Sequence, residues 1–251
     1  MKDLKITILL PYYERFNLVK LALESIKRQN YSNWELFFCD DGSKNNGEEI
    51  LDEFFPDYDN VWYSNTKTTI DEKRKLGGSI FGHYLNEFIL NSDSDLCIFL
   101  CDDDALYPNY LSNLNQWYNK NNDMNYSYSH VQPFNIIDNM KYDDIENNLT
   151  NKFPLNYFLN HTNSLFPVNM VDASQVSWKT HLFKEHNVRF NFPQTANLDS
   201  HLYKQFYDIC GNCEFNGFKS QYKSVHPDQL SNKTNIPQVE LRKDPHILHT
   251  F

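Results

Sequence analysis

The sequence predicts an α/β fold, a mostly parallel central sheet flanked by helices, because short apolar runs alternate with amphipathic stretches at helical spacing. Two of the runs close on carboxylates. WELFFCD (34–40) passes into the acidic loop DDGSKNNG, and DLCIFLC (95–101) passes into Asp102, Asp103 and Asp104. Ligands of such sheets bind at the carboxyl ends of strands, so residues 11–13, 40–43 and 102–104 are expected to share one edge.

Each element has its own signal. Residues 4–10 are apolar and β-branched up to Pro11, as in a strand buried on both faces. From Asn17 to Gln29 apolar residues recur at helical spacing, and WELFFCD is a second strand. A short helix through Ile50, Leu51 and Phe54 leads to a strand at 61–63, and a helical pattern runs over 71–90, interrupted by Gly77 and Gly78. After the 95–101 strand and Pro108, Leu111, Leu114 and Trp117 mark another helix, and NYSYSHVQPF alternates as a strand does. Residues 138–163 are polar and read as a loop, 170–186 as a strand and helix, and 197–210 as a helix. The expected division is one domain over 1–235, in two halves (1–120 and 121–235), followed by a tail or lid at 236–251.

Composition removes several classes. With 23 Lys and Arg against 33 Asp and Glu, the formal charge is −10, which opposes a surface built for nucleic acid phosphates. Five cysteines, three of them in apolar runs, read as reduced core thiols. Cys210 and Cys213 form a lone CxxC with no second pair at zinc spacing. No apolar run approaches the ~18 residues of a membrane span, and the chain reads as soluble and cytoplasmic.

Three adjacent carboxylates beside a buried strand repel one another, so a positive partner is required. A divalent metal, Mg²⁺ or Mn²⁺, suits them, since it prefers oxygen ligands and fills its remaining positions with water and substrate phosphates. One such Asp would be explained by turn formation; three are not.

The stretch ITILLPYYERFNLVKLALESIKRQNYSNWELFFCDDGS resembles the opening of family 2 glycosyltransferases of the GT-A fold, and FLCDDDALYP is similar to that family's Asp-x-Asp strand end, with Pro108 after it. The resemblance covers roughly 4–120 well and thins out to about 230. It implies a Rossmann-like GT-A domain and an inverting, metal-dependent transferase, of hexosyltransferase type, that moves a sugar from a nucleotide-sugar donor, UDP-sugar favoured, to a carbohydrate hydroxyl.

Position by position, the resemblance implies that Pro11, Tyr12 and Tyr13 pack on the base and ribose, and that Asp41 or Asp40 accepts a hydrogen bond from the base. Asp102 falls near the ribose or sugar hydroxyls, and Asp103 and Asp104 are favoured as metal ligands. The segment holding Lys73, Arg74 and Lys75 lies beneath the donor, with Arg74 the choice to reach it. Asp199, in TANLDSHLYKQF, matches the acidic base, although Asn197 and Leu198 stand where Glu commonly precedes it. Helix capping is its structural alternative. His226, in YKSVHPDQLSNK, approaches the metal or diphosphate. Asp172, Gln175 and Trp178 border the sugar or acceptor, with core packing the competing fate of Trp178. Two other classes share the fold: a sugar nucleotidylyltransferase, which needs a glycine-rich loop after the first strand that LLPYYERFN lacks, and a catalytically silent carbohydrate-binding protein.

Overall fold

The first strand, β1 (Ile6–Tyr12), places Ile6, Ile8, Leu10 and Tyr12 in one core and Leu9 in the opposite one, the two-residue alternation of a strand covered on both faces. It pairs in parallel with β2 (Trp34–Asp40), from Ile6 opposite Trp34 to Tyr12 opposite Asp40, and with β4 (Leu96–Phe99), from Ile6 opposite Leu96. The edge strand β3 (Val61–Asn65) pairs in parallel with β2. In this computed structural model, which describes residues 1–150, 172–192, 198–211 and 213–226, these four strands end together, and their carboxyl edge carries the acidic loops. The expectations for 151–163 and for the tail at 236–251 lie outside the described residues.

The helices follow from their sequences. The first, α1 (Phe16–Lys27), buries Val19, Ala22, Leu23 and Ile26, and α2 (Gly47–Phe54) starts where the Asn46 side chain accepts from Glu48 N at 3.1 Å. The single helical pattern over 71–90 resolves into two helices, α3 (Ile70–Leu76) and α4 (Phe81–Asn91). Thr69 and Glu72 form a capping box at the start of α3, and Gly77 ends it at φ 79°, a left-handed value that glycine takes without steric cost.

Beyond β4, a two-residue strand β5 (Ala105–Leu106) and α5 (Tyr110–Lys120) lead to β6 (Tyr126–Asn135). The polar 138–163 stretch contains a 3₁₀ helix at Tyr142–Asn148, anchored by Tyr142 OH on Leu106 O at 2.8 Å. After a short 3₁₀ turn at Ala173–Gln175 come β7 (Val176–Lys179), α6 (His181–Glu185), α7 (Leu198–Cys210) and β8 (Glu214–Val225). The sheet order is β3-β2-β1-β4-β7-β6-β8-β5, with β7 antiparallel to both neighbours and β8 parallel to β6. At 12 residues β8 is the longest strand among the described residues, and His226 follows directly after it.

One core lies between the sheet and α1, α2 and α5; the other packs Leu9, Phe37, Cys97 and Phe99 against Trp178, Phe183, Phe190 and Phe206. Trp178 is fully buried there, so its ring serves packing. All five cysteines are free. Among the described residues no helix is long and apolar enough to cross a membrane.

Candidate active site

The carboxyl ends of β1 and β4 are neighbours, so the turn after β1 meets the three aspartates after β4. Tyr13 N donates to Asp102 Oδ2 at 3.0 Å, and Arg15 Nη1 reaches Asp102 Oδ1 at 2.7 Å and Asp103 Oδ2 at 2.9 Å. From the other side β8 pairs with β5, Tyr222 opposite Ala105, which brings its next residues onto Asp104. Lys223 Nζ lies 2.9 Å from Asp104 Oδ2, and Ser224 N donates to Asp104 Oδ1 at 3.0 Å. His226 Nε2 is 3.1 Å from Asp103 Oδ2. Lys223 also pairs with Asp172 Oδ2 at 3.1 Å.

The positive partner demanded by the acidic triplet is therefore partly built into the chain, from elements 87 to 119 residues away. Asp102, Asp103 and Asp104 are all buried. Burial pushes the Asp102 and Asp104 carboxyls above the ordinary range against the pull of Arg15 and Lys223 respectively. Burial acts on Asp103 too, but His226, Lys223 and Arg15 together outweigh it and hold this carboxyl below the ordinary range. The three differ in what they can still accept. Both oxygens of Asp102 and both of Asp104 are engaged, whereas the contacts of Asp103 fall on Oδ2, leaving Oδ1 without a hydrogen bond among the described residues.

The second acidic pair sits at the end of β2, and its members differ. Asp40 is fully buried and accepts from Ser43 N at 2.8 Å, Tyr63 OH at 3.1 Å and Asn65 Nδ2 at 3.2 Å, which shapes the loop. Asp41 is also buried but turns to other partners. Its Oδ2 is 2.8 Å from Lys73 Nζ, and Thr66 Oγ1 donates to its Oδ1 at 3.3 Å. Lys73 Nζ in turn stands 3.6 Å from the centre of the Tyr13 ring, a cation–π contact. Gly42 turns between these residues at φ 78°, and a Cβ there would fall 2.2 Å from Thr68 O.

Of the expected donor residues, Tyr13, Asp41 and Asp102 come together around Lys73 and Arg15. Pro11 is half-buried, and Tyr12 is buried with its ring stacked on Phe38 at 5.3 Å. Arg74 points outward and pairs with Asp71 at 3.0 Å, while its neighbour Lys73 is buried at the site. Asp172 caps the 3₁₀ turn and meets Lys223; Gln175, buried, donates to Ser129 O at 2.8 Å. Asp199 lies half-buried in the first turn of α7, one turn before Tyr203, whose hydroxyl donates to Asp172 O at 3.0 Å. Arg15 and Lys223 were not singled out from sequence. The available signals were the position of Arg15 just past the β1 turn and the place of Lys223 three residues before His226.

Comparison with known proteins identifies the family. The family described as Glycosyl transferase family 2 matches residues 7–175, two-thirds of the chain and the whole of the β1–β4 edge. The chain belongs to glycosyl transferase family 2. Among curated family relatives, it is 25% identical over 146 residues to the Escherichia coli UDP-Glc:alpha-D-GlcNAc-diphosphoundecaprenol beta-1,3-glucosyltransferase WfgD, covering 45% of this chain and 57% of that one. S. aureus TarS 1-349 in complex with UDP-GlcNAc superposes with a TM-score of 0.64 at 14% identity, over 90% of this chain and 60% of that one. The mannosyltransferase PcManGT from Pyrobaculum calidifontis, in complex with GDP-Man and Mn²⁺, gives 0.64 at 12% identity, over 91% and 59%. These neighbours share the GT-A fold of this family 2 chain, which covers 57–60% of the length of the three proteins named.

Proposed function

We propose that this chain is an inverting glycosyltransferase that moves a sugar from a nucleotide-sugar donor, UDP-sugar favoured, to a carbohydrate hydroxyl with the help of Mn²⁺ or Mg²⁺. The observation that carries this reading is the Asp103 carboxylate, contacted by Arg15 and His226 at Oδ2 and without a hydrogen bond at Oδ1 among the described residues, on the same strand edge as Tyr13, Asp41 and Lys73. The donor complexes of TarS and PcManGT and the UDP-Glc chemistry in the name of WfgD support a nucleotide sugar.

The residues present fit a hard divalent ion. Oxygens of Asp103 and Asp104 lie within 4.8 Å of one another, and His226, a further candidate donor, touches Asp103; the neighbouring Cys101 thiol is too soft a donor to count toward such an ion. Asp103 and His226 would hold the ion, which when bound supplies Lewis-acid stabilisation of the departing diphosphate. The remaining work belongs to the chain. Tyr13 offers a ring face for the base, and Asp41 an acceptor for its N–H. Asp102, oriented by Tyr13 N and Arg15, faces the ribose or sugar hydroxyls. Asp199 takes the proton of the acceptor hydroxyl as its oxygen attacks the anomeric carbon, while the bond from that carbon to the diphosphate oxygen breaks. Asp172 borders the acceptor side.

A panel of nucleotide sugars, screened with Mn²⁺ and with EDTA for nucleoside diphosphate release, tests the reading. We expect metal-dependent turnover of a UDP-sugar that Asp103→Asn reduces at least about a hundredfold, in line with losses from removing groups that stabilise developing charge. Full activity in EDTA refutes the metal; donor binding without turnover on any acceptor favours the silent carbohydrate-binding protein.

A further inference from the structure

The metal reading leaves open why a site with four clustered carboxylates should take one ion rather than two. Asp102, Asp103, Asp104 and Asp172 face two fixed cations, Arg15 and Lys223. Lys223 has the stricter geometry of the two cations. Its side chain is 12% exposed, its ammonium lies between Asp104 Oδ2 (2.9 Å) and Asp172 Oδ2 (3.1 Å), and the next residue closes the other oxygen of Asp104 through Ser224 N (3.0 Å). The Asp104 side chain is wholly buried. An ion at Asp104 would have to displace the ammonium from a wholly buried carboxylate, leaving it only the half-buried Asp172 as a partner.

We infer that Lys223 is a resident counter-cation: it commits Asp104 to the protein, confines the divalent ion to Asp103 and His226, and so sets the site to a single ion. Lys223 is thus a positioning residue, acting on the metal through Asp104. The inference rests on the metal reading above and adds which carboxylate is withheld and by what. It also assigns β8 a task. The long strand carries Lys223, Ser224 and, just after it, His226 to the end of β4, so one element delivers both the group that blocks Asp104 and the group that joins Asp103.

The test uses the full chain and Mn²⁺ alone, with the free ion followed by electron paramagnetic resonance, so that binding and stoichiometry are read without turnover. The wild type is expected to bind one ion. Asp103→Asn should weaken binding by more than about a hundredfold, and Asp104→Asn by no more than roughly tenfold, as for a group outside the coordination sphere. Lys223→Met, which removes a positive charge beside the ion, should tighten Mn²⁺ binding about tenfold or admit a second ion, and Lys223→Arg should behave as the wild type. A purely structural lysine would not give tighter binding in its neutral variant. Thermal melts by circular dichroism identify variants that fail to fold; should Lys223→Met be one, the comparison of Asp103→Asn with Asp104→Asn decides. Equal loss of Mn²⁺ in Asp103→Asn and Asp104→Asn overturns the role of Lys223 while keeping the metal. So does unchanged or weaker binding in a folded Lys223→Met chain. A wild-type chain that binds no Mn²⁺ overturns the metal reading, and this inference with it.

Discussion

Replacing Arg15 by Met keeps the aliphatic stem and removes the charge that two buried carboxylates share. The guanidinium is about one-fifth exposed, while Asp102 and Asp103 are 9% and 7% exposed at their side chains. Breaking a buried pair by removing one partner costs about 3–5 kcal/mol, and the solvent reaching Arg15 lowers the expectation to about 2–4 kcal/mol. The pH dependence fixes the sign. In the wild type, burial already raises the Asp102 carboxyl above its unfolded value, so this group favours folding less as pH rises between the two. Without Arg15 the folded-state value rises further, at about 1.4 kcal/mol per unit, and the window extends to higher pH. The stability gap between wild type and Arg15→Met should therefore widen as pH rises from 5 to 8. Urea unfolding at both pH values, followed by tryptophan fluorescence, measures it. A gap under about 1 kcal/mol, or one that narrows with pH, would refute the account of Arg15 as the counter-ion of Asp102.

Two further outcomes follow from the β2 end of the edge. Gly42→Ala places a left-handed alanine whose Cβ meets Thr68 O, so we expect about 2–4 kcal/mol of destabilisation and a raised KM for donor, since the shifted loop carries Asp41; an unchanged urea midpoint would contradict it. Lys73→Met should weaken calorimetric UDP binding by about tenfold, whereas Arg74→Ala, at an exposed pair, should change it less than about twofold; the reverse ranking would show that the outward arginine is the one that reaches the donor.

Periodicity and loop chemistry made most of the fold legible. The buried alternation of β1 and the β2 and β4 runs place residues 11–13, 40–43 and 102–104 on one edge, because strand direction and side-chain period are local properties. Single-residue conformations were harder. The pattern over 71–90 reads as one helix because apolar spacing continues across the break, and only residues 77–80, opened by Gly77 in a left-handed conformation that costs glycine nothing, separate α3 from α4. The length of β8 was hidden for a different reason. Seven of its twelve residues are polar, Asn216 among them donating to Ser127 and Ser129 of β6, and buried polar residues satisfied across strands erase the hydrophobic signal.

The division of labour in the acidic triplet depends on these hidden elements. Three identical side chains in a row carry no local difference by which a sequence could sort them. They are sorted by what arrives from elsewhere: Arg15 and Tyr13 N from the β1 turn to Asp102, Lys223 and Ser224 N from β8 to Asp104, and His226 to Asp103. The same holds for Lys73 against Arg74, where the register of a seven-residue helix decides which cation turns inward to Asp41. Partners far apart in the chain set the charge state of each aspartate. A substitution in β8 should therefore alter the metal chemistry of a strand end more than 100 residues before it.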